Sequence, residues 1–297
     1  MMRVLVTIPH YFASADRPAP DGRRHGSLRG DPRPRCAALT ACIASLHQLY
    51  GPAQHVIDLE TRVARLANDA GAGHVDVVVC TAGNNHLINQ LPLPSVALEH
   101  RPVSGDPLAL GFACHAVLRD RLGGYDYYGY MEDDLIARDP WMFRKLAWFA
   151  TQLGPDAVLQ PNRYEAGPLG LVHKAYVDGD LPLRTTAPYQ TVEGAPAVVC
   201  PILGTPVTFS RARNPHAGCF FLNAGQMAHW ASRPYFLDGD TGFIGPLESA
   251  ATLGLMRTFR VYKAAVRCAS FLEIEHFGTA FLSQLRRRED ATLGPVG

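Results

Sequence analysis

Tyr127-Tyr128-Gly129-Tyr130-Met131-Glu132-Asp133-Asp134-Leu135 decides the reading of this chain. An aromatic, strand-prone run ends in three consecutive carboxylates, which repel one another and need compensation where the strand stops. A hard divalent cation supplies it economically, because Mg²⁺ takes one or two carboxylates and shares a substrate's phosphates. On that reading Glu132 and Asp134 form an acid-x-acid clamp for a metal–diphosphate, with Asp133 assisting. The competing reading is a solvated loop that caps the next helix, although Asp139-Pro140 already offers that cap.

Upstream, residues 3–8 form a buried strand ended by Pro9, and a Pro/Gly/Arg-rich loop follows over roughly 12–35. Leu39, Ile43, Leu46 and Tyr50 share one face of a helix that stops at Gly51-Pro52. The spacing of Leu59, Val63 and Leu66 predicts a second helix. Val75–Cys80 reads as a buried strand leading into Thr81-Ala82-Gly83-Asn84-Asn85, and Ser95–Leu98 as a short third strand. Asp106-Pro107 opens a helix that reaches about Leu122, just before the acidic strand. Downstream, Met142, Leu146, Phe149 and Leu153 align on a helix over 141–153, with Trp141 and Trp148 assigned to the core. Strands alternating with helices in this half argue for a mostly parallel sheet covered on both faces.

The second half is more irregular. Residues 161–215 are rich in Pro, Gly and Thr; 216–229 read as a strand turning into a short helix. LDGDTGFIGP at 237–246 opens a helix near Leu247, late strands are expected at Thr258–Lys263 and Ala269–Ile274, and a basic helix at Phe281–Arg288.

With 297 residues the chain suits one large domain or two intimate halves, with 47% apolar and 19% charged residues. A net charge of +1 gives no general case for nucleic acid or an anionic membrane. Basic residues do cluster at Arg17, Arg23, Arg24, Arg29, Arg33 and Arg35, a local anion site in prospect. Seven scattered cysteines without a CxxC pair favour a reducing cytoplasm. No apolar run is long enough for a spanning helix, and no signal-peptide layout precedes the first strand.

These features, taken in order, resemble the nucleotide-sugar-dependent glycosyltransferases of the GT-A fold. The matching parts are the strand Val4–Pro9 with Tyr11, the helix carrying Ser45-Leu46-His47-Gln48-Leu49-Tyr50-Gly51, the helix 107–122, and Glu132-Asp133-Asp134 in the position of that fold's DxD motif. The match runs over residues 3–150 and more loosely over 216–276. It departs from the family in having Glu where the first Asp is usual, which moves the direct ligand role to Asp134. The resemblance implies an α/β fold with a Rossmann-like, nucleotide-sugar-binding half at 1–135 and an acceptor-binding half at 136–297. It also implies Mn²⁺ or Mg²⁺, a nucleotide-sugar donor, and a glycan, small-molecule or peptide acceptor.

Site residues follow from that chemistry. Metal ligands are Asp134 and Glu132, with His276 in Glu275-His276-Phe277-Gly278 as the third ligand that the resemblance adds. An inverting transfer needs a general base. Glu248, at an acidic helix start, is the first choice, and Asp238 and Asp240 are its rivals; first-turn acidity and Asp-Gly turn chemistry are the structural alternatives. Thr7, Pro9, Tyr11, Arg35 and Asn84 are the candidates for holding the nucleotide, with Glu132 and Asp133 near its diphosphate. His216, at an apolar strand entry, faces the sugar or is a satisfied core residue, and Trp230 with Tyr235 offers a platform for a sugar ring.

Rival functions are a sugar-nucleotide-forming nucleotidyltransferase, a glycoside hydrolase, and a non-catalytic metal- or sugar-binding protein. Pro9-His10-Tyr11-Phe12 lacks the Gly-rich, Arg-containing loop expected of the first. No GxxxxGK[ST] sequence supports a P-loop mechanism.

Overall fold

The computed structural model describes residues 2–13, 31–69, 73–167 and 172–285. Val4, Val6 and Ile8 alternate with Leu5 along β1 (Arg3–His10), and that alternation builds two covered faces. One face packs on Leu39, Ile43 and Leu46 of α1 (Arg33–Tyr50). The other packs on Leu110, Cys114 and Leu118 of α2 (Leu110–Asp120).

The chain continues from α1 through β2 (His55–Ile57), β3 (Ala64–Leu66), β4 (His74–Ala82) and β5 (Glu99–Val103). After α2 come β6 (Tyr127–Met131), β7 (Leu135–Ile136), α3 (Met142–Leu153), β8 (Ala157–Leu159), β9 (Asn162–Ala166) and β10 (Lys174–Tyr176). The remainder is α4 (Leu183–Thr186), β11 (Val198–Ile202), β12 (Thr205–Arg211), β13 (Cys219–Asn223), α5 (Ala224–Ala231), α6 (Pro246–Thr258), β14 (Arg260–Ala264) and β15 (Glu273–His276). The central sheet has the order β13-β6-β1-β4-β5, parallel throughout except for β13, which runs antiparallel to β6. Two four-stranded sheets, β10-β9-β15-β7 and β11-β12-β14-β8, make up most of the rest. The fold is therefore mixed α/β, and β13 draws the second half of the chain into the sheet of the first.

Several local expectations are corrected. The helix expected through Leu59, Val63 and Leu66 is a β2–β3 hairpin with those side chains exposed. Asp58 accepts from the Glu60 and Thr61 amides, and Arg62 sits at φ 60°, so a turn interrupts the helical spacing. The third strand begins at Glu99, not Ser95, because Pro94 leads residues 95–97 into a 3₁₀ turn. Trp141 is 59% exposed under the Arg144 guanidinium, whereas Trp148 does pack on Phe209 and Phe271. The last strand starts at Glu273, after a 3₁₀ stretch at Val266–Phe271.

Arg17, Arg23, Arg24 and Arg29 lie outside the described residues, as does the end of the basic helix expected at 281–288. Its described part is a single 3₁₀ turn, Leu282–Gln284. Among the described residues no helix is long and apolar enough to cross a membrane.

Candidate active site

Ligands of open parallel sheets bind beyond the carboxyl ends of the strands. There, β6 ends in the Glu132-Asp133-Asp134 turn, and two backbone hydrogen bonds fasten it. The Glu132 amide donates to Gly218 O (2.9 Å), extending the β6–β13 pairing, and the Phe277 amide donates to Asp134 O (2.7 Å). Gly218 has φ +65°, and a Cβ there would stand 2.6 Å from Glu132 Oε2, so only glycine fits beneath that carboxyl.

Each acid has a different environment. Asp133 is buried: His10 Nδ1 lies 2.5 Å from its Oδ2, and Arg35 Nη2 donates to its Oδ1. Burial alone would raise the Asp133 pKa, but Arg35 and His10 outweigh it and hold the group below the usual carboxylate range. The Leu87 amide donates to His10 Nε2 (3.1 Å), which leaves the His10 proton on Nδ1, facing Asp133.

Asp134 accepts from Arg35 Nη1 at Oδ2 (3.1 Å), while its Oδ1 is buried without a hydrogen-bond partner among the described residues. Glu132 lies 3.5 Å from Arg163 Nη1 and 3.9 Å from His216 Nε2. Burial outweighs the Arg163 charge there and raises its pKa well above the ordinary value.

Behind Glu132 lies a buried ionic layer that sequence reasoning missed. Arg163 Nη2 donates to Asp178 Oδ1 (2.8 Å), and Lys263 Nζ stands 3.4 Å from Asp178 Oδ2. Burial pushes the His216 pKa down to about 3, so its ring is neutral, and its Nδ1 is 3.1 Å from Thr252 Oγ1. No local pattern in the sequence signals this layer, whose members come from β9, a loop and β14.

The metal question turns on Asp134 and His276. Pairing of β15 with β7 brings His276 opposite Leu135, and its Nε2 is 3.7 Å from Asp134 Oδ2. Its Nδ1 lies 2.8 Å from Oε1 of Glu165, a fully buried carboxylate that also accepts from the Phe281 and Leu282 amides. A carboxylate fixing the far ring nitrogen is the usual support of a metal-binding imidazole. Yet among the described residues no group of three His, Cys, Asp or Glu is placed to hold an ion. One carboxylate oxygen without a partner and one oriented imidazole fit a cation that completes its shell on a substrate, not a closed protein cage.

A cavity of about 510 Å³ opens over the turn. Pro9, Tyr11, Arg35 and the three acids line it, with Asp106, Pro107 and Leu108 before α2 and Pro246, Leu247 and Glu248 at the start of α6. The structure therefore brings Pro9, Tyr11, Arg35, Glu132, Asp133, Asp134 and Glu248 to one space. His276 reaches Asp134 without lining the cavity, and the remaining candidates lie elsewhere. Thr7 is fully buried, its hydroxyl donating to Gly129 O, because its side chain falls on a covered face of β1. Asn84 is exposed in the turn after β4 and does not line the cavity.

Asp238 and Asp240 line a separate crevice beside Trp230 and both pair with Arg257. Hydrogen bonds from Gly242 and Arg257 lower the Asp240 pKa, which suits a loop clasp and not a proton acceptor. Glu248 has no such pairing among the described residues. Trp230 is core, 2% exposed, and Tyr235 donates to Arg257 O, so neither forms an open platform.

No protein-family model and no curated protein matches the chain. Similar solved structures include a crystal structure of S. aureus TarS, 10% identical with a TM-score of 0.43, covering 94% of this chain and 37% of that one. TarS 1–349 gives 9% identity and a TM-score of 0.42, covering 94% of this chain and 61% of that one. The same fragment in complex with UDP-GlcNAc gives 12% identity and a TM-score of 0.40, covering 93% and 59% respectively. This chain thus spans 37–61% of the length of those chains. At these scores the likeness assigns no residue a role.

Proposed function

We propose that this chain is a GT-A-type glycosyltransferase that moves a sugar from a nucleotide-diphosphate donor to an acceptor hydroxyl, with inversion. The observation that carries this reading is the convergence of the acidic turn and Glu248 on one cavity at the carboxyl ends of the parallel strands. Among the described residues, five carboxyl groups (Asp106, Glu132, Asp133, Asp134, Glu248) line that cavity against one guanidinium, Arg35. A diphosphate enters such a space only in company with positive charge.

Asp134 and His276 are the residues suited to hold Mn²⁺ or Mg²⁺, which offsets charge on the leaving diphosphate. Glu248 accepts the proton of the acceptor hydroxyl as its oxygen bonds to the anomeric carbon. The bond from that carbon to the diphosphate oxygen breaks in the same displacement, and the electron pair leaves with the diphosphate. Asp133, clamped by His10, fixes the turn; Pro9 and Tyr11 border the nucleotide.

Thermal unfolding with UDP, GDP, CMP, dTDP and ADP, each with and without Mn²⁺, tests the reading. Stabilisation by a nucleoside diphosphate only with metal, lost in Asp134→Ala, supports it. Absence of any shift would leave the triplet a structural turn clamped by Arg35 and His10.

A further inference from the structure

Arg35 holds the acidic turn in an uneven way. Its fork donates to both Asp133 and Asp134, its Nε is buried without a partner, and its side chain is only 13% exposed at the cavity wall. Asp133 has a second partner in His10, so it stays compensated when the guanidinium moves. Among the described residues Asp134 has no equivalent: its Oδ1 is unpartnered and His276 Nε2 stands 3.7 Å away, beyond hydrogen-bond distance. Removal of Arg35 would expose one carboxylate and one imidazole together, a pair suited to a divalent cation.

We propose that Arg35 is a resident counter-cation which a divalent metal displaces from Asp134, and that the released guanidinium then donates to the diphosphate accompanying that metal. This rests on the transferase reading and adds an order of binding to it. Metal alone binds weakly, because it must break a charge-assisted contact and finds only two protein ligands. Metal with diphosphate binds well, because the phosphate oxygens complete the metal shell and accept from Arg35. Asp133 serves as the fixed anchor between the two arrangements and His10 as its holder.

Mn²⁺ binding followed by the loss of the free-ion electron paramagnetic resonance signal tests the exchange without any turnover. Arg35→Met keeps the apolar stem and removes the fork. The variant is expected to bind Mn²⁺ alone about tenfold more tightly than wild type. Its affinity for UDP, GDP, ADP or dTDP in saturating Mn²⁺ is expected to fall about tenfold or more. Opposite signs on the two ligands are the signature; a merely structural Arg35 would weaken both. Arg35→Lys retains the charge for folding and should tighten Mn²⁺ in the same sense by a smaller factor, so it decides the matter where the Met variant does not fold. Unchanged or weaker Mn²⁺ binding in a folded variant, with wild type still binding Mn²⁺–nucleotide, overturns the exchange and leaves the transferase reading intact. Failure of wild type and variant to bind Mn²⁺, with or without nucleotide, overturns both.

Discussion

His10 and Asp133 are 123 residues apart in sequence and 2.5 Å apart in space, joined Nδ1 to Oδ2. The bond links the end of β1 to the acidic turn after β6, and the Leu87 amide fixes the imidazole from its other side. His10→Ala leaves a buried carboxylate short of a donor and a buried amide without an acceptor. The expected loss is about 2–4 kcal/mol in urea unfolding at pH 7. The Asp133 pKa is lowered in the folded state, so its contribution is present above the unfolded carboxylate pKa and is lost as pH falls through the lowered value. The acid limb of the stability curve should therefore flatten in Asp133→Asn.

Glu132 runs the other way. Its pKa is raised on folding, so the native state binds a proton that the unfolded chain releases. Stability then falls as pH climbs from the ordinary carboxylate range toward the raised value. Glu132→Gln keeps the shape and removes the titration. Unfolding free energies of the variant should hold level across that window where wild type declines; parallel curves would refute the assignment.

Glu248 and the Asp238–Asp240 pair can be separated by kinetics. Glu248→Gln is expected to lower kcat about 10²–10⁴-fold with donor binding unchanged, as loss of a general base requires. Asp238→Asn releases one arm of Arg257 and should alter stability by about 1 kcal/mol or less, with kcat near wild type. Reversal of the two results would move the base to the loop.

Glu165 orients His276 through Nδ1, which leaves Nε2 toward Asp134. Removal of such a support typically weakens metal binding about 10–100-fold. Glu165→Gln should show that loss in Mn²⁺ titrations performed with nucleotide, and His276→Ala a loss at least as large. Equal Mn²⁺ affinity in all three proteins would remove His276 from the ligand set.

The first strand, the acidic turn and the opening of α6 were legible because each is local: an apolar run, a charge run beside a strand, and Pro246 ahead of Glu248. Thr7 was misplaced because its side chain falls on a covered face of β1, a matter of register that the apolar run alone does not report. Asn84 was misplaced because a turn former after a strand reads the same whether it borders a cavity or solvent. The hairpin at 55–66 was misread because Val63 and Leu66 fall at helical spacing while Arg62 adopts a left-handed turn. The ionic layer of Arg163, Asp178 and Lys263 was invisible, since it is assembled from β9, a loop and β14 by tertiary packing. The role of His10 was not legible, because its partner Asp133 lies across a sheet register that no local pattern reports.

The antiparallel entry of β13 beside β6 has a consequence for biosynthesis. A ribosome delivers β6 and its three acids well before Gly218, His216 and the strand that seats them. The emerging chain can pair β1, β4 and β5, but the turn after β6 waits with its repulsion only partly relieved by Arg35 and His10. Maturation of the pocket is thus a late event in translation, and a nascent chain stalled before β13 would carry a sheet with one raw edge and no finished cavity.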